Sequence, residues 1–165
     1  MGTQQVLTAD AGAPAAVRRA LSAWLCELEC PLEQRDDLVL AVHEAVANVV
    51  DHAYRDAPAP GSVVIGSEFS QDRDGSRWVT VTVTDRGVWR PVPEDNGYRG
   101  RGLQMIGALT DWRWIEPGTD GTRVTMVSRV CAPARRVDGF ARLPREPRHR
   151  CSGRPRTAGG ELARL

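Results

Sequence analysis

The sequence predicts a domain of the α/β (α+β) class, on three observations. From Asp37 to Arg55, DLVLAVHEAVANVVDHAYR, the residues Leu38, Val39, Val42, Val46, Val49, Val50 and Ala53 share one side of a helical wheel, with Asp37, Glu44, Asn48, Asp51 and Arg55 on the other. From Arg77 to Asp85, RWVTVTVTD alternates strictly, valines on one face and threonines on the other, the period of a half-buried strand. From Trp112 to Glu116 and from Thr122 to Val130, two further strand-like runs flank the turn sequence PGTDG. With 165 residues and 41% hydrophobic content, the chain has the length and composition of one buried core.

Taken in order, Gln4 to Leu7 reads as a short edge strand. Ala11 to Leu28 reads as a helix, because Val17, Leu21, Trp24, Leu25 and Leu28 recur at helical spacing before Pro31. Cys26 and Cys30 stand one turn apart, but no second pair follows at zinc spacing, so ordinary packing is expected. In the central helix, Glu44 and Asn48 are at i and i+4, which points a carboxylate and a carboxamide the same way from one rigid element. The breaker-rich DAPAPGS follows, then a strand from Val63 to Phe69 and a turn at QDRDGS. Asp85 lies on the valine face of the next strand, so a carboxylate is aimed into the apolar layer. It needs donors to offset its desolvation, from capping backbone or from a ligand's amino group.

Residues 86 to 99 have no usable periodicity and read as a loop, of a length that in compact domains is usually functional. GRGLQMIGAL then opens a short amphipathic helix with Leu103, Ile106 and Leu109 inward. Its glycines allow backbone N–H groups to approach phosphate oxygens at a helix N-terminus. This is not the dinucleotide fingerprint, since Met105 occupies the third glycine position.

Composition excludes several chemistries. All 22 cationic side chains are arginine, which removes the P-loop, the strand lysine of eukaryotic-type protein kinases, and Schiff-base catalysis. His43-Glu44 is not a zinc-protease helix because position 47 is Ala47, and no nucleophile elbow occurs; His43 and His52 are expected to be structural. The apolar runs are too short to span a bilayer. The N-terminus lacks the features of a signal peptide, so a cytoplasmic protein with four reduced cysteines is expected. Residues 132–165 hold nine arginines against three carboxylates, a balance of +6, and residues 1–131 hold 13 against 18, a balance of −5. The expected organisation is therefore one domain over 1–131 and a disordered Arg/Pro/Gly-rich tail over 132–165. An arginine-rich tail could touch nucleic acid or an acidic partner, but its arginines are scattered without aromatic interleaving, so a solvated tail is the expectation, and the short apolar runs give no expectation of a membrane partner.

Four motifs stand in a fixed order: EAVANVVDHAY (Glu44 to Tyr54), TDRG (Thr84 to Gly87), GRGL (Gly100 to Leu103) and DGTRVTM (Asp120 to Met126). In order and approximate spacing they resemble the GHKL ATPase superfamily, and within it the small anti-sigma factor serine/threonine kinases of bacteria, over roughly residues 5 to 130. The resemblance implies a Bergerat-type ATP-binding fold, a two-layer sandwich of a mixed β-sheet and helices. It implies ATP and Mg2+ as cofactors. Asn48 would coordinate the metal and Glu44 would orient or deprotonate the acceptor hydroxyl. Asp85 would accept from the adenine amino group, Gly87 would let the base approach the backbone, and Thr122 would lie near adenine. Gly100, Arg101, Gly102 and Leu103 would form the phosphate-binding turn, with Arg101 the candidate cation, and residues 88 to 99 the lid. Where the family often has a second glycine after the Asp-x-Gly motif, this chain has Trp89, and from Arg135 onward the family core has no counterpart.

The function the resemblance implies is phosphorylation of a small anti-sigma antagonist protein, with binding of a sigma factor and a homodimer as further expectations. The alternative is a catalytically weak ATP-binding regulatory module that sequesters a partner. A two-component histidine kinase is disfavoured because no helical hairpin with a phospho-acceptor histidine precedes the ATP motifs.

Overall fold

The computed structural model describes residues 1–88 and 101–128, the side chain of Arg101 excepted. Five strands, β1 (Gly2–Thr8), β2 (Ser62–Gln71), β3 (Arg77–Asp85), β4 (Trp112–Gly118) and β5 (Gly121–Val127), form one sheet in the order β1-β2-β3-β5-β4. Helices α1 (Ala13–Glu27), α2 (Leu32–Asn48) and α3 (Arg101–Leu109) supply the second layer.

The two layers are those expected, but the sheet is antiparallel at every pairing rather than mixed. Two hairpins account for most of this. β2–β3 and β4–β5 are each closed by a short turn, which permits only antiparallel neighbours.

The core lies between the layers. Val79, Val81 and Val83 of β3, Val63 and Ile65 of β2, and Val124 and Met126 of β5 face Val17, Leu21 and Leu25 of α1, Leu38, Val42 and Val46 of α2, and Ile106 of α3. The valine row of β3 is thus buried as its alternation requires. The opposite face presents Thr80, Thr82 and Thr84 beside Thr125 of β5 and the stacked rings of Trp112 and Trp114, which are 51% and 55% exposed.

The boundaries of β3 coincide with the sequence reading. α2 begins five residues earlier than expected, at Leu32, because its first turn is polar and carries no apolar period to reveal it. It also ends earlier as an α-helix: after Asn48 the backbone widens into a π-helical turn, Val49–Ala53. Such turns arise frequently at functional sites. The reduced-thiol expectation fails at Cys26, which is disulfide-bonded. The expected lid from 89 onward, Trp89, Gly100 and the tail lie outside the described residues.

Candidate functional site

Two clusters, joined by α2 and its π-helical extension, make the candidate site. The first lies where α3 begins. A Cβ built on Gly102 would stand 3.4 Å from Glu44 Oε2, 3.4 Å from Asn48 Nδ2 and 3.5 Å from Asn48 Oδ1. Glu44 and Asn48, read as one-turn neighbours on the polar face of α2, therefore both meet the first turn of α3, with only the missing side chain of a glycine between them. Both side chains are half-buried, whereas the flanking Ala41, Val42, Ala45 and Val46 are buried in the core. One helix thus anchors itself with its apolar face and aims two polar groups with the other. Leu103 packs against the core from the same turn of α3.

The second cluster closes the far end of β3. Asp85 is 5% exposed and continues the inward valine row. Its Oδ1 accepts a hydrogen bond of 2.8 Å from the Gly87 N–H. Burial raises the pKa of this carboxyl above 3.8, while backbone hydrogen bonds from Gly87 and Thr122 pull it the other way. Thr122, buried at the start of β5, thus supplies a backbone donor to Asp85. Gly87 is pressed on the π-helical turn: a Cβ there would overlap the Ala53 carbonyl, and the next residue, Val88, donates its N–H to that carbonyl at 2.9 Å.

Three contributors to this cluster escape a reading of the sequence. Gly121 has φ +128°, and a Cβ there would overlap the Asp85 carbonyl, so the start of β5 lies directly against the end of its neighbour β3. Tyr54 donates its hydroxyl to the Ser62 carbonyl at 2.7 Å and accepts the Arg86 N–H at 2.9 Å, which ties β2 to the residue after Asp85. The π-helical turn is the third. The HAY and DGT motifs mark Tyr54 and Gly121, but nothing in their local pattern says which backbone they approach.

His43 Nδ1 lies 3.4 Å from the Pro14 carbonyl of α1. A hollow of about 740 Å³ on the opposite face of the sheet, lined by Thr80, Thr82, Thr84, Gly66, Arg86 and Arg123 among others, has none of Glu44, Asn48, Asp85, Gly87, Gly102 or Thr122 in its lining. Among the described residues no group of three or more His, Cys, Asp or Glu side chains is placed to hold a metal ion, so any metal here would depend on oxygens from a ligand and water besides Asn48.

Residues 7–128 match the histidine kinase-like ATPase domain family, across most of the described structure. The chain belongs to that family. Part of this ATPase domain is similar to an anti-sigma F factor of Pasteuria penetrans, 37% identical over 71 residues that make up 43% of this chain and 44% of that protein. In structure it is similar to the RsbU and RsbW domains of Rv1364c from Mycobacterium tuberculosis, with a TM-score of 0.63 and 31% identity over 82% of this chain and 34% of that one. The domain thus spans less than half the length of either relative. The antiparallel five-stranded sheet with helices on one face is accordingly the Bergerat-type ATP-binding fold, and the ATPase family carries ATP binding with it. No helix among the described residues is long and apolar enough to cross a membrane.

Proposed function

We propose that this ATPase domain is an ATP-dependent protein serine/threonine kinase of the anti-sigma type, which phosphorylates a small anti-sigma antagonist protein and binds a sigma factor. The observation that carries the reading is the approach of Gly102 to Glu44 and Asn48, which leaves a cradle that one methyl group would fill. A backbone N–H at a helix start, a carboxamide oxygen and a carboxylate converge there, the donor set that a metal-bound phosphate and an attacking hydroxyl require.

Mg·ATP, when bound, supplies the transferable phosphoryl group and most of the charge neutralisation. Asn48 offers Oδ1 to the metal, a neutral ligand of the kind Mg2+ accepts beside phosphate and water. Glu44, one turn away, orients the acceptor hydroxyl and takes its proton at a carboxylate oxygen. Gly102 and Leu103 present backbone N–H groups to the phosphates, with Gly100 and Arg101 expected beside them.

Asp85 holds the other end of the nucleotide. A buried carboxylate held by backbone donors at the end of β3 supports the reading of an acceptor for an amino group such as that of adenine. Ala53 follows Glu44 by nine residues, so α2 and its π-helical extension together serve both the base and the phosphate ends. The similarity to the anti-sigma F factor of Pasteuria penetrans and to the RsbW domain supports the protein-kinase reading and the partners, and a homodimer belongs to the same proposal.

The test is incubation of the full chain with γ-labelled ATP, Mg2+ and each candidate antagonist protein from its own genome. Label on a serine or threonine of one antagonist is expected. ATP binding with no transfer to any of them would instead establish a regulatory module that sequesters its partner.

A further inference from the structure

We infer that, in the kinase proposed above, Leu40 is a specificity-determining contact for the acceptor protein: it receives an apolar side chain beside the phosphorylated serine or threonine, while Asp37 and Glu33 draw a basic part of the same segment. At 100° per residue, Glu33, Asp37, Leu40, Glu44 and Asn48 fall within about 80° of one another on α2. Leu40 alone of the five is apolar. It is 39% exposed, and whereas its neighbour Val39 packs against the core, Leu40 does not belong to that packing. Single exposed leucines are ordinary surface, and Leu32, 62% exposed, is one: it lies about 120° from Glu44 around the same helix. Leu40 differs in standing one turn from Glu44, on the polar face itself.

The direction of phosphoryl transfer brings the acceptor over Leu40. The base end of the nucleotide site is at Asp85, Gly87 and the Ala53 carbonyl, and the phosphate end is at Gly102, Glu44 and Asn48. From Glu44, α2 and its π-helical extension run towards the base end. In phosphoryl transfer the attacking and leaving oxygens stand roughly in line, so the acceptor hydroxyl arrives from the side away from the base. On α2 that side is the turn before Glu44. Its member on the polar band is Leu40, about 6 Å from Glu44 along the helix axis.

An extended acceptor segment fits this spacing. Alternate side chains of an extended chain share one face and repeat every 6.6–6.8 Å or so, roughly one helical turn. With the hydroxyl at Glu44, a side chain two residues away therefore meets Leu40, and apolar contact there removes both from water. Beyond Leu40 stand Asp37, partly exposed, and Glu33, exposed. Arg35, the nearest cation in sequence, lies about 180° from Glu44 around the helix and is paired with Asp36 at 3.7 Å, so it does not neutralise the band. Charge complementarity then selects basic residues in the far part of the segment, and exposed carboxylates of this kind act chiefly on the rate of encounter.

The test is steady-state transfer by the full chain, with the antagonist protein that takes label from γ-labelled ATP as the varied substrate, beside calorimetry of Mg·ATP binding. Leu40→Asp is expected to raise KM for the antagonist about tenfold or more, with kcat and Mg·ATP affinity held within about twofold of the parent. Leu40→Met should stay near the parent, and Leu32→Asp, exposed but off the band, should leave KM unchanged. Asp37→Asn combined with Glu33→Gln should raise KM at low salt and flatten its salt dependence. On the antagonist, aspartate in place of the apolar residue two positions from the labelled hydroxyl should raise KM as Leu40→Asp does, and the two changes together should be less than additive. Should Leu40→Asp lack a cooperative melt, Leu40→Gln reads the same loss. A parental KM in a folded Leu40 variant, a matching loss of Mg·ATP affinity, or a labelled residue with no apolar side chain two positions away would overturn this inference alone. A parent that binds ATP and labels no antagonist would instead remove the kinase reading, and this inference with it.

Discussion

Asp85 joins a carboxylate to an apolar layer, and its ionisation carries a signed consequence. Because burial places its folded pKa above the unfolded value near 3.8, its stabilising contribution is fully present below that value and is lost as pH rises through the folded pKa. At neutral pH the buried charge therefore subtracts from the stability of the ligand-free protein. Asp85→Asn should raise Tm at pH 7, with the gain shrinking as pH falls towards 4 in differential scanning calorimetry. The same change should weaken ATP by roughly 10- to 150-fold, the loss of about 1.5–3 kcal/mol from a charge-assisted hydrogen bond, and calorimetry should show GTP binding poorly to the parent. Equal affinity for ATP and GTP would contradict the adenine assignment. Gly102 gives the complementary case: a Cβ at 3.4–3.5 Å from its neighbours fits the protein but fills the cradle. Gly102→Ala should leave Tm unchanged or raised, since alanine favours a helix by about 0.5–1 kcal/mol, while ATP affinity falls about tenfold or more. Asp85 was legible because a carboxylate on a valine row is conspicuous. Gly121 was not, because its φ and the strand end beneath it exist only in the folded chain.

Among the elements, β3 was the most legible, since alternating Val and Thr declares both its faces and its ends. The i, i+4 placement of Glu44 and Asn48 was equally readable, because helical geometry alone puts them together. What α2 does after Asn48 was not. A π-helical turn leaves the apolar period of Val49, Val50 and Ala53 nearly intact, while it redirects the backbone so that the Ala53 carbonyl meets Gly87 and Val88. Tyr54 follows this turn and holds the ends of β2 and β3 through a single hydroxyl. Tyr54→Phe keeps the ring and removes both hydrogen bonds, so it should cost about 1–2 kcal/mol, read as a lower urea midpoint with an unchanged m-value. An unchanged midpoint would mean that the clasp is satisfied equally well by solvent.

At the scale of the whole molecule, the sequence motifs conveyed the two-layer architecture because each marks an element end that the sheet brings to one side. The antiparallel pairing of β2 with β3 and of β4 with β5 follows from the QDRDGS and PGTDG turns, whereas that of β1 with β2 and of β3 with β5 joins strands distant in sequence, which no local pattern encodes. Charge divides the chain into a body at −5 and a segment after residue 131 at +6, with little in that segment to bury. Under reducing conditions, truncation after Val130 should therefore leave a cooperative melt and unaltered ATP affinity; loss of the transition would show that the segment packs. The central claim is that α2 carries metal binding and phosphoryl transfer on neighbouring turns, and it is tested most directly by comparing Glu44→Ala with Asn48→Ala. A positioned base contributes about 10²- to 10⁴-fold to rate and little to ground-state binding. Glu44→Ala should hold Mg·ATP affinity within a few-fold of the parent while transfer to the antagonist protein is lost, and Asn48→Ala should lose the Mg2+-dependent part of binding itself. Phosphoryl transfer by the Glu44 variant at the parental rate would contradict the account.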